Sequence, residues 1–224
     1  MDKKRRRIHV GAGGRLPRWV TDEINLSTPK PRRQAAIREL ELGLRQFADD
    51  RFDAAYRTLT KAKKLAPQAP TIRELLGLAA YNTERWQEAL RELRTYRRMT
   101  GDTTHMAVEM DCLRAMGREA DVEKTWNLFR ELGGSREADD EARVVYGSYL
   151  ADKGRLAEAW AVVKPGRLVA HPPESTLRRW AVAARVAAES GRGDAARRIL
   201  DAIRTAGDQP WLADLEALVD RYVS

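Results

Sequence analysis

ELGLRQFADDRFDAAYRTLTKAKKLAPQAPTIRELLGLAAYNTERWQEALRELRTYRRMTG, residues 41–101, contains one pattern twice, offset by 34 residues. Leu42-Gly43 recurs as Leu76-Gly77. Phe52 recurs as Trp86, Ala55 as Ala89 and Leu59 as Leu93. Pro67 has its counterpart in Gly101, and both residues stop helices. A fixed period of this length, carrying apolar residues at helical spacing, predicts two consecutive helix–turn–helix units.

The pattern extends along the chain. The first unit spans about 34–67, with helices over 34–48 and 52–66 and a turn at Asp49-Asp50-Arg51, where Asp50 is expected to cap the second helix. The second spans about 68–101, its helices starting near Pro70-Thr71 and Arg85-Trp86. A third, over 102–134, is degenerate: Met110-Asp111 replaces Leu-Gly, Gly117 ends its first helix, and Trp126, Phe129 and Leu132 mark the buried stripe of the next. In the fourth, 137–171, Tyr146-Gly147 stands at the Leu-Gly position and Ala159 follows Gly147 by 12 residues, as Ala55 follows Gly43. Pro165-Gly166 is expected to cut its second helix short. The fifth, 174–207, places Ala183-Ala184 at the Leu-Gly position and Ala196 after the turn. Residues 211–223 read as a capping helix.

These residues resemble the tetratricopeptide repeat superfamily over about 34–210. The resemblance implies an all-α fold, an α-solenoid of about five helical hairpins whose first helices line a groove. Groove-facing positions would be Leu40, Leu44 and Phe47, then Glu74, Leu78 and Tyr81, then Val108, Cys112 and Met116. They are mostly apolar, which suits a partner's amphipathic helix or apolar extended segment and not the carboxylate-gripping groove known in the superfamily.

Upstream, residues 1–33 form a basic extension. Residues 1–34 hold ten Lys/Arg and three Asp/Glu, so +7 of the net +8 lies there and the rest of the chain is nearly neutral. Residues 1–14 read as a disordered arm. Its cluster Lys3, Lys4, Arg5, Arg6 and Arg7 is either a solvated tail or a contact for RNA or DNA phosphates. Leu16, Trp19, Val20 and Ile24 have helical spacing and would be costly to leave in water. That segment either binds a partner or folds back on its own solenoid, and folding back benefits from high effective concentration. Residues 27–33, with Pro29 and Pro31, read as an extended connector.

The residues that could carry chemistry do not assemble into a catalytic pattern. His9, His105 and His171 are scattered, and no His/Cys pair has metal-ligand spacing. The pairs Asp49-Asp50 and Asp139-Asp140 fall at helix boundaries, where carboxylates accept backbone hydrogen bonds. The tryptophans are spaced as helix-interface residues. A single cysteine suits a reducing cytoplasm, and no apolar run is long enough for a membrane span. The sequence therefore points to a cytoplasmic, non-enzymatic protein that binds another protein, with no cofactor, metal, membrane or small-molecule substrate. An RNA- or ribosome-associated factor anchored by the basic arm is the alternative. Abundant Arg and Ala suggest a GC-rich, bacterial genome.

Overall fold

The structure, a computed structural model, describes residues 16–223 of the 224-residue chain. The arm over residues 1–14, with its Lys3–Arg7 cluster, lies outside the described residues. Those described form twelve α-helices and no strand. The chain divides between Asp102 and Thr103 into two compact units.

In the first unit, α1 (Arg18–Ser27) precedes the hairpin of α2 (Lys30–Ala48) and α3 (Phe52–Leu65). A second hairpin follows, of α4 (Pro70–Tyr81) and α5 (Trp86–Thr100), with α3 packed on α4. Each hairpin closes around a glycine. A Cβ on Gly43 would stand 2.7 Å from Leu59 Cγ, and one on Gly77 would stand 2.7 Å from Leu93 Cγ. Only a glycine lets these fully buried leucines lie against the facing backbone.

Helix α1 belongs to this unit. Val20 and Ile24 are fully buried in one cluster with Leu40, Leu59, Ile72 and Leu76, and Leu16 and Trp19 pack against it. The Glu23 carboxylate accepts hydrogen bonds from Thr71 N (2.9 Å) and Thr71 Oγ1 (3.0 Å). It therefore caps the start of α4, whose own N-cap residue, Ala69, has no side chain to do so. The segment thus folds back on its own chain, while Leu26 stays 89% exposed. The expected connector over 27–33 is a correction: α2 begins at Lys30, with Pro31 in its first turn, where a proline removes no needed donor.

The second unit contains three hairpins. These are α6 (Met106–Ala115) with α7 (Glu119–Leu132), α8 (Arg136–Asp152) with α9 (Leu156–Val163), and α10 (Glu174–Glu189) with α11 (Gly193–Ala206). Helix α6 packs on α8 and α8 packs on α10. Helix α12 (Leu212–Val223) packs on α10 and α11, with Val223 over Gly193. Helix α10 is well enclosed: Trp180, Ala183, Ala184, Val186 and Ala187 are fully buried. Gly147 abuts Val163 as Gly43 abuts Leu59, again 16 residues on.

All five hairpins turn the same way. A residue with left-handed backbone ends the first helix: Asp50 (φ 56°), Glu84 (φ 58°), Gly117 (φ 68°), Gly154 (φ 73°) and Gly191 (φ 73°). An arginine follows each one. Arg51, Arg85, Arg118, Arg155 and Arg192 donate their backbone N–H groups to Gln46, Ala80, Leu113, Leu150 and Ala187 at 2.8–2.9 Å. This bond satisfies carbonyls that the helix end would leave unpaired. Asp50 is a second correction: it caps no helix by its side chain and instead supplies the left-handed turn residue.

Candidate functional site

The nine positions expected to line a groove divide by burial. Leu40 and Cys112 have no exposed surface, and Leu44 is 6% exposed, so these three cannot meet a partner. They are corrections: each fills its own unit's core. Burial, with the charges of Asp111 and Glu109 beside it, pushes the Cys112 thiol up to about 12. Phe47 and Tyr81 are half-buried and are turned to another task. Phe47 meets Phe52 edge-on at 5.1 Å, and Tyr81 meets Trp86 edge-on at 5.5 Å. The pairs lie 34 residues apart and close equivalent hairpin ends. Glu74 and Leu78 on α4, Val108 on α6 and Met116 at the C-cap of α6 are half-buried, as Phe47 and Tyr81 are.

The buried acids serve as joints. The Glu92 side chain on α5 is 1% exposed and meets Arg73 Nη1 of α4 at 2.6 Å, Lys63 Nζ of α3 at 3.0 Å and Arg91 Nε at 3.1 Å. Arg73 also donates to the Pro67 carbonyl at 2.8 Å, tying down the loop between the hairpins. Burial pushes the Glu92 carboxyl up, but the hydrogen bonds and charges of Arg73 and Lys63 outweigh it and hold it below the usual carboxylate range. In the second unit, Asp140 on α8 receives Thr176 Oγ1 (2.6 Å), Arg179 Nη1 (2.9 Å) and Ser175 Oγ (3.3 Å), all from α10. Asp140 thus joins two hairpins, while Glu92 ties its own hairpin together through Arg73 and reaches the preceding one through Lys63.

The turn arginines form a second kind of joint that sequence reading missed. The Arg85 guanidinium lies 3.0 Å from Asp53 and 4.5 Å over the Tyr56 ring, both on the preceding hairpin. Arg155 reaches Glu123 at 2.5 Å, and Arg192 lies 5.7 Å over the Trp160 ring. The pairs 85/53, 155/123 and 192/160 share one spacing of 32 residues. The signal was present in the sequence: an arginine after every left-handed turn residue, with an acid or aromatic 32 positions earlier. The hydrogen bonds that Arg155 donates to Glu158 and Glu123 hold its guanidinium above its ordinary value. Arg185 likewise is held by Asp152 (2.8 Å) and Glu189 (3.0 Å).

Aromatic residues pack where spacing placed them. Trp126 stacks on Tyr146 at 4.6 Å with 13° between the rings, joining α7 to α8. Trp180 is fully buried. Among the described residues, no group of three or more His, Cys, Asp or Glu side chains is placed to hold a metal ion. No helix among them is long and apolar enough to cross a membrane. The chain matches no family model and no curated protein.

Proposed function

We propose that this chain is a non-enzymatic interaction protein, a tetratricopeptide-type α-solenoid that binds a segment of another protein. The observation that carries this reading is the constancy of the hairpin: five turns with one backbone geometry, and an arginine joint repeated at a spacing of 32 residues. A stack so joined commits its buried charges to holding hairpins together and leaves helix surfaces as its working part. On α4 the half-buried Leu78 and Glu74 stand one turn apart, so an apolar side chain of the partner would be buried beside an acidic rim. Val108 on α6 and Met116 at its C-cap offer a comparable surface in the second unit. The lone buried thiol suits a reducing compartment, the cytoplasm.

Substitution of the half-buried apolar positions tests this reading. L78E and V108E place a charge where a partner's apolar group would sit. Each is expected to lower recovery of a captured protein from native extract about tenfold or more, with the helical circular dichroism and melting temperature unchanged. Undiminished capture by the double variant would overturn these surfaces as the binding site. The alternative, an RNA- or ribosome-associated factor, draws support from the +7 charge of residues 1–34. Binding of that kind would weaken steeply with salt through counterion release, whereas apolar burial would not.

A further inference from the structure

Helix α9 is eight residues long, whereas the second helices of the other hairpins run to 14 or 15. Pro165 is the cause: the residue before a proline is driven from helical to extended backbone, and Lys164 has φ −47° and ψ 133°. The deficit is roughly six residues, or about 9 Å of helix. Where the missing turns would lie, an open cleft of about 490 Å³ separates α9 from the first two turns of α11. That volume falls in the range of about 300–1,000 Å³ seen for sites that take a compact ligand.

The lining of the cleft is chemically one-sided. Trp160, Leu168 and Ile199 form an apolar floor, and Lys164, Arg167 and Arg198 stand exposed at the rim. No acidic residue lines it. None of those three cations makes an ion pair among the described residues. Elsewhere in this unit most arginines are paired: among the described residues, Arg114, Arg118, Arg143, Arg155, Arg178, Arg179, Arg185 and Arg204 sit on carboxylates, whereas Arg130, Arg136, Arg192, Arg197 and Arg221 do not. Three neighbouring uncompensated cations raise the local positive potential and favour an anionic occupant.

We propose that the cleft between α9 and α11 is a docking site for an acidic peptide segment of a partner protein, its carboxylates on Lys164, Arg167 and Arg198 and an aliphatic side chain on the Trp160–Leu168–Ile199 floor. The apolar floor, two of its three residues aliphatic, favours the peptide over a nucleotide. Trp160 is the one aromatic ring there, and Arg192 lies over one of its faces, which limits the stacking platform left for a base. Charge excludes the chain's own basic arm as the occupant. The proposal rests on the reading of the chain as a protein-binding module, and adds a second surface to it.

Fluorescence anisotropy with the full-length protein provides the test. The probe is a labelled peptide of alternating Glu and Leu, roughly eight residues long, acetylated and amidated at its ends. The comparison peptide has Lys in place of Glu. All the substitutions, K164E/R198E and R167A, fall on exposed side chains, so folding is checked by an unchanged melting temperature. Binding of the Glu-Leu peptide but not the Lys-Leu peptide is expected, with about a tenfold or greater loss in K164E/R198E and a smaller loss in R167A. A peptide of Glu alone should compete at least about tenfold more weakly, since it forgoes the floor.

Equal binding by K164E/R198E, or none by the unsubstituted protein, would overturn the cleft as the site. Neither result touches the capture experiment on Leu78 and Val108, so the broader reading would stand or fall separately. Tighter, Lys164- and Arg198-dependent binding of oligouridylate or inorganic pyrophosphate would overturn the peptide class in favour of a phosphate-bearing ligand.

Discussion

Asp50 and Glu84 hold a left-handed backbone that Gly117, Gly154 and Gly191 hold in the other turns. A side chain there costs about 1–2 kcal/mol that glycine avoids, offset in part by glycine's greater unfolded-state entropy. D50G and E84G are therefore expected to stabilise by about 1 kcal/mol each, raising the melting temperature by roughly 2–4 °C. Glu92 gives the pH dependence of the first unit. Its folded value lies below its unfolded one, so its contribution is fully present above the unfolded value, near 4.3, and is lost as pH falls through the folded value. E92Q should flatten the acid limb of the stability curve. It should also cost about 3 kcal/mol near neutral pH, because Arg73 and Lys63 lose a buried partner. Urea melts between pH 3 and 7 would measure both effects. At this scale the sequence was most legible where packing is tightest. Gly43 and Gly77 stood out beside Leu59 and Leu93 because a helical glycine needs a reason. Burial of Leu40 and Leu44 was not legible, since helical period identifies a face without saying which neighbour covers it.

At the scale of elements, α1 marks where the chain can be shortened. Val20 and Ile24 are fully buried and Glu23 caps α4, so α1 is part of the first unit and not a detachable leader. Each of the two side chains is worth roughly 1.5–3 kcal/mol of burial. Removing residues 1–15 is expected to leave the melting temperature unchanged. Removing residues 1–33 should lower it by several degrees and expose apolar surface to a hydrophobic dye, as read by a paired thermal scan. The helical spacing of Trp19, Val20 and Ile24 made this helix visible in sequence. Its link to α2 was not, because Pro29-Lys30-Pro31 reads alike as an extended connector and as a helix start. Pro165 carried the opposite outcome: the expected shortening of the second helix is present, with α9 ending at Val163.

For the molecule as a whole, all-helical architecture followed from a period of 34 residues and from Ala, Leu, Arg and Glu in place of β-branched runs. The joints between hairpins did not follow, because Arg85, Arg155 and Arg192 acquire partners only when one hairpin is laid on the next. Charge distribution poses the central alternative. A basic leader favours phosphates, while a nearly neutral helical body with partly exposed apolar positions favours a protein. Affinity capture from native extract decides between them most directly. The full chain would be run beside one lacking residues 1–15, which keeps α1, with low- and high-salt washes and with and without nuclease. The expected result is a discrete protein recovered by both forms that survives salt and nuclease. Recovery dominated by RNA or ribosomal material, and lost with the arm or after nuclease, would contradict a protein-binding function.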